Sequence, residues 1–237
     1  MGVIAAALQA CQKRIADACH AAGKAENCAR LVAVSKAFPV ASIRQAYAAG
    51  QRVFGESYLQ EALPKLDQLA DLPLEWHFIG PVQSNKTRLI AARFDWVHGI
   101  ERAKIAQRLS EQRPAELPPL QVCIQVNVSG EASKRGVAPA AALELARATA
   151  ALPNLRLRGF MAIPEPSDDP SLQRSRFRQV ARLLQACNEA GLALDTLSMG
   201  MSADLEAAIC EGATLVRVGS AIFGARSISQ DNQLEQA

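Results

Sequence analysis

The chain has 237 residues, 49% of them hydrophobic and 21% charged, and its 26 basic against 23 acidic side chains leave a net charge of +3. That length suits one domain with a core of its own, and the composition is globular. So small a charge excess, with no basic run interleaved with aromatics, argues against nucleic-acid or membrane-surface binding.

The first predicted element is a helix over residues 3–22, where Ile4, Leu8, Cys11, Ile15, Ala18 and Cys19 recur at helical spacing before Gly23. Its apolar run is too short to span a bilayer and lacks the basic lead of a secretory signal. Short β-rich runs and helical patterns then alternate. Strands are predicted at 31–35, 53–55, 75–79, 96–99, 120–128, 155–163, 194–198 and 215–218. The helices that follow them are predicted at 41–49, 58–69, 84–93, 102–112, 139–151, 172–190 and 203–210, with a short piece at 221–224. Gly50 and Gly191 sit just past helical runs, where a left-handed residue is wanted. Pro114, Pro118 and Pro119 break the chain before the fifth strand, and 165–170 reads as a polar loop.

Strand–helix units without a long linker imply a parallel α/β sheet, and eight of them close a barrel. An open doubly wound sheet is the competing topology. The expected architecture is a single (β/α)₈ TIM barrel with an extra N-terminal helix over residues 1–226, followed by a polar tail at 227–237. Cys11, Cys19, Cys28, Cys123, Cys187 and Cys210 form no C-x-x-C pair, so reduced thiols in a cytoplasm are expected. His20, His77 and His98 lack ligand spacing, and no metal site is expected.

Lys36 follows directly on an apolar strand. In a barrel this position opens on the C-terminal face, where partial desolvation favours the free amine that condenses with an aldehyde. Taken alone, it does not outweigh the commoner reading as a solvated loop lysine. Two later segments suit an anion. In Ser198-Met-Gly-Met-Ser202, Gly200 permits a tight turn and Ser202 would cap the next helix. In Arg217-Val-Gly219-Ser220-Ala221, glycine allows close backbone approach and amides open a short helix. Either segment could be a plain turn, and Arg217 could simply pair with a carboxylate. On one barrel face with Lys36, the two fit a phosphorylated aldehyde.

The pieces AVSKAFP, FGESYLQEA, WHFIGPVQSNK, QVNVSGEASKRG, RGFMAIPEP, LSMGMSADLEAAI and VRVGSAIFGAR, running from Leu31 to Arg226, resemble the pyridoxal phosphate homeostasis family, related to the N-terminal barrel of alanine racemase. The resemblance implies pyridoxal 5′-phosphate (PLP) held on Lys36 as an internal aldimine. It implies phosphate contacts from Ser198, Met199, Gly219 and Ser220, and Arg217 beside the pyridine nitrogen. Ser57 stands where the family's FGEN motif has Asn, and Tyr58 would flank the cofactor or pack in the core. Where the family has SKTKP, this chain has Ala37 and Phe38, which removes a second basic residue beside Lys36. The loop residues Lys134 and Arg135 match a position that the family links to a second vitamer contact or to release, and read otherwise as solvated. His77, on a predicted strand, suits a structural hydrogen bond better than a catalytic base.

A racemase needs an acid–base group on each face of the substrate carbon. Only Tyr47 and Tyr58 could join the lysine, and the chain ends soon after the eighth unit. The expectation is therefore a cytoplasmic, monomeric carrier of PLP that serves PLP-dependent apo-enzymes and has no catalytic residues of its own. A weak PLP-dependent racemase is the alternative. A Schiff-base aldolase would place its lysine on the sixth strand, where this chain has none, and a barrel that only docks partners would not need Lys36.

Overall fold

The computed structural model describes residues 2–130 and 135–225. Helix α1 (Val3–Ala21) leads into eight strands: β1 (Arg30–Val34), β2 (Val53–Glu56), β3 (Glu75–Phe78), β4 (Trp96–Ile100), β5 (Leu120–Gln125), β6 (Leu155–Met161), β7 (Thr196–Ser198) and β8 (Leu215–Val218). They pair in chain order as a closed barrel, with β8 parallel to β1 through Arg30↔Leu215 to Ala33↔Val218. Closure settles the topology against the open sheet. It leaves no free edge, and it explains why the strands are buried on both faces.

The outer ring is α2 (Val40–Ala48), α3 (Leu59–Gln68), α4 (Thr87–Arg93), α5 (Ala103–Gln112), α6 (Ala142–Ala150), α7 (Pro170–Glu189), α8 (Leu205–Cys210) and α9 (Ser220–Phe223). One predicted helix splits into a 3₁₀ turn at Pro139–Ala141 and α6. Gly50 and Gly191 do take positive φ, at 100° and 91°. Apolar residues fill the space between strands and helices, while Val32, Val53, Trp96, Cys123, Met161 and Leu215 pack within the barrel. Helix α1 packs on α8, and Arg14 spans both segments around its start: Nε lies 2.5 Å from Glu206 Oε1 and Nη1 donates to Ser202 O at 2.8 Å.

The expectation that all six cysteines are free thiols is corrected by a Cys19–Cys28 disulfide. The chain turns back between α1 and β1 and brings these Cα atoms to 6.1 Å, inside the range a disulfide spans. Cys11, Cys123, Cys187 and Cys210 are free. Lys134 and the expected tail at 227–237 lie outside the described residues.

Candidate functional site

A cavity of about 730 Å³ opens at the C-terminal ends of the strands. Of the residues expected at the site, Lys36, Ser57, Tyr58, Arg217, Gly219 and Ser220 line it together. The strand ends of β1, β2 and β8 bring them there from positions up to 184 residues apart (220 − 36). Gln83, Lys86 and Arg135 line it as well, so its described lining holds lysine and arginine but neither carboxylate nor imidazole. Such a wall attracts an anion.

Lys36 sits half-buried on the turn after β1, its Nζ 5.8 Å from the centre of the Tyr58 ring. That turn is held from below. Ala37 has φ +65°, the left-handed region that costs a residue with a Cβ about 1–2 kcal/mol. Its N–H donates to Glu61 Oε1 at 2.7 Å. Glu61 and Lys65 are four apart on α3, and Lys65 Nζ meets Glu61 Oε1 at 2.5 Å and Glu56 Oε1 at 2.9 Å. Lys65 also donates to Ser35 O at 2.8 Å, and Ser35 Oγ donates to Glu56 Oε1 at 2.7 Å. Burial raises the Glu56 carboxyl above its ordinary range, and the neighbouring Lys65 opposes that rise. The backbone on both sides of Lys36 is thus tied into a buried ionic cluster, which the sequence signalled only through the i,i+4 pair.

On the opposite wall, Arg217 is buried at 4% exposure. Its Nη1 donates to Ser198 O at 2.6 Å and to Ser198 Oγ at 2.5 Å, and its Nη2 donates to Ala162 O at 2.9 Å. Three of five guanidinium donors are used this way. Burial pushes its pKa down to about 10, against the pull of Asp204. The alternative pairing of Arg217 with a carboxylate is not what these bonds show.

The β7 and β8 ends supply the rest. Gly219 lies so close to β1 that an added Cβ would meet Val34 O at 3.1 Å and Val34 Cβ at 3.3 Å. Among the described residues, no protein acceptor takes the N–H groups of Ser202, Ala203, Gly219, Ser220 or Ala221. Ser202 and Ala203 also line the cavity. Two residues expected at the phosphate, Ser198 and Met199, are not among the cavity-lining residues. Ser198 is fully buried with its hydroxyl bound to Arg217 and His98, and Met199 spends its N–H on Leu215 O at 3.1 Å. Ser202 is not the helix cap either: α8 starts at Leu205, and Asp204 Oδ1 accepts from Met201 N–H at 2.6 Å.

His77 is fully buried and hydrogen-bonded and is not among the cavity-lining residues, as a structural histidine would be. Tyr47 lies near the end of α2 and is not among the cavity-lining residues; the Arg52 guanidinium sits 3.9 Å from its ring centre.

An amine, a buried guanidinium and a glycine-lined set of backbone amides in one basic cavity suit a ligand with an aldehyde, a ring nitrogen and a phosphate. Residues 7–227 match the family described as alanine racemase, N-terminal domain. A pyridoxal phosphate homeostasis protein of Pseudomonas aeruginosa is 61% identical over 226 residues, covering 95% of this chain and 97% of that one. One of the same description from Vibrio cholerae is 54% identical, covering 92% and 94%. The solved structure of PipY from Synechococcus elongatus with PLP bound aligns at a TM-score of 0.82 and 35% identity, covering 93% of this chain and all of PipY.

Proposed function

This chain belongs to the alanine racemase N-terminal domain family and, within it, to the pyridoxal phosphate homeostasis proteins, and we propose that it holds PLP in this cavity as a Schiff base on Lys36. The observation that carries the reading is the meeting of Lys36, Arg217 and the Gly219–Ser220 loop in one basic cavity. The PLP-bound state of PipY, similar over nearly the whole chain, supports it.

Lys36 provides the amine for the aldehyde carbon. The N–H groups of Ser202, Ala203, Gly219 and Ser220 take the phosphate, as backbone amides at helix starts do. Ser57 and Tyr58 bound the ring side. Arg217, with a pKa near 10, stays protonated at neutral pH and meets the ring nitrogen as a donor. Bound PLP supplies a reactive aldehyde and a conjugated electron sink, and a donor-only neighbour leaves that sink weak by keeping the nitrogen unprotonated.

The role that follows is custody rather than turnover: the protein shields the aldehyde and delivers PLP to PLP-dependent apo-enzymes, as a cytoplasmic monomer. A racemase would need a second acid–base group facing Lys36. In the described lining Tyr58 is the one phenol, and no carboxylate or imidazole joins it.

Titrating PLP into cofactor-free protein should raise a near-visible band that Lys36→Ala lacks. Borohydride reduction followed by peptide mapping should find the pyridoxyl group on Lys36, and its absence there overturns the reading. Loaded protein should restore an unrelated apo-enzyme. Exchange of the α-proton of L- or D-alanine in deuterium oxide would instead favour the racemase.

A further inference from the structure

Beneath Arg217 the barrel interior carries a single file of hydrogen bonds to its opposite mouth. Ser198 Oγ lies 2.8 Å from His98 Nδ1, and His98 Nε2 lies 2.8 Å from His77 Nδ1. His77 Nε2 lies 2.7 Å from Glu75 Oε1, and the Glu75 carboxylate reaches solvent with 33% of its side chain exposed. Ser198, His98 and His77 are each 0% exposed.

The two ends fix the direction of every proton between them. An arginine can only donate and an ionised carboxylate can only accept. Arg217 Nη1–H therefore donates to Ser198 Oγ, the Ser198 hydroxyl to His98 Nδ1, His98 Nε2–H to His77 Nδ1, and His77 Nε2–H to Glu75. Both imidazoles are neutral in the same Nε2–H form. Reversing the file would aim two donors at Ser198 Oγ and leave its hydroxyl proton to find another acceptor in a fully buried place.

The surroundings favour this arrangement. The His77 ring stacks on Trp96 at 5.1 Å and 11°, which fixes its plane. Burial lowers the pKa of His77, against the opposite pull of Glu75, with Arg30 and Asp95 the other charges that act on it. Burial, then His77, then Arg217 hold His98 well below the ordinary imidazole range.

We propose that His98, with His77 behind it, is a positioning residue for Arg217. By taking the Ser198 hydroxyl proton it turns an oxygen lone pair to the guanidinium, so that the donor facing the cavity is aimed from the far mouth of the barrel. The consequence for the cofactor rests on the PLP reading above; the proton order does not.

The first test needs no variant. Long-range ¹H–¹⁵N spectra of the histidine rings in full-length, cofactor-free protein should show His77 and His98 neutral at pH 7.5, protonated on Nε2 and bare on Nδ1. An Nδ1–H form or a cation at either ring overturns the proposal. The second test separates positioning from packing. His98→Asn keeps an acceptor in the place of Nδ1, His98→Gln keeps only the link toward His77, and His98→Leu keeps neither. With PLP labelled at the ring nitrogen, His98→Asn should retain the wild-type ¹⁵N signal and affinity. Gln and Leu should move the signal and weaken binding about tenfold, the effect of one lost hydrogen bond to a charged group. Identical signals and affinities in all three variants overturn the proposal. If wild-type protein takes up no PLP, the PLP reading fails and the ring spectra decide the proton order by themselves.

Discussion

Beneath the Lys36 side of the cavity, Glu56, Lys65 and Glu61 bring three formal charges into a space that solvent hardly reaches, and Glu56 Oε2 and Glu61 Oε2 have no partner among the described residues. Beneath the Arg217 side, two neutral imidazoles and a hydroxyl separate one cation from one carboxylate, and every ring nitrogen is used. Both supports are buried and both hold one side of the same site. They differ in what they tolerate. A cluster of formal charges is stable only while its members stay paired, whereas a neutral file depends on tautomers and so on pH. The lysine side is guarded by charge balance and the arginine side by proton order.

The largest effect should come from unbalancing the charged cluster. Lys65→Met leaves Glu56 buried without its cation, which should destabilise the fold by about 3–5 kcal/mol in urea denaturation at pH 8. The sign with pH follows from Glu56: its folded pKa is raised, so the stability linked to it is present at low pH and lost as pH rises through that pKa. Lys65→Met should therefore lose less stability at pH 5 than at pH 8. An equal loss at both would mean that Glu56 is not the group left exposed to the change.

The neutral file should respond to acid in the opposite sense. His77 and His98 have folded pKa values below the unfolded value near 6.5, so their contribution is complete above that pH and is lost as pH falls toward the folded values. Between pH 6.5 and 5, unfolding free energy should fall by up to about 1.4 kcal/mol per pH unit for each ring. The measurement is a denaturation series at several pH values, and the same series on His98→Asn should show one ring's share removed. A flat profile would show that neither ring must be neutral in the folded protein.

A smaller effect tests the strain on the lysine turn. Ala37→Gly relieves the positive φ at the expense of a freer unfolded chain, for a net gain of about 0.5–1 kcal/mol by thermal or urea unfolding. Borohydride trapping on Lys36 should persist in this variant, since the Glu61 acceptor for the residue 37 N–H remains. The smallest effect belongs to Arg14→Ala. Its contacts with Glu206 and Ser202 O are partly exposed and screened, so urea denaturation should show a loss of at most about 1 kcal/mol.

The sequence alone determined the alternation of strands and helices, the positive-φ glycines after α2 and α7, the lysine at the end of β1 and the glycine loops after β7 and β8. These follow from periodicity and turn chemistry within a few residues, which a linear reading can see. Only the tertiary structure decided which polar atoms are spent on one another. The segment around Ser198 and its family resemblance pointed to a phosphate, and the structure adds that His98, 100 residues away, meets the Ser198 hydroxyl. The same holds for Glu56, whose partners Lys65 and Ser35 reach it from α3 and the β1 turn. It holds for Cys28, which a helix end brings to Cys19, and for Ser202, displaced as a cap because Arg14 and the turn around Asp204 fix its segment. Barrel closure brings the strands into one interior, and in that water-poor space each buried polar group must find a partner wherever the fold delivers one.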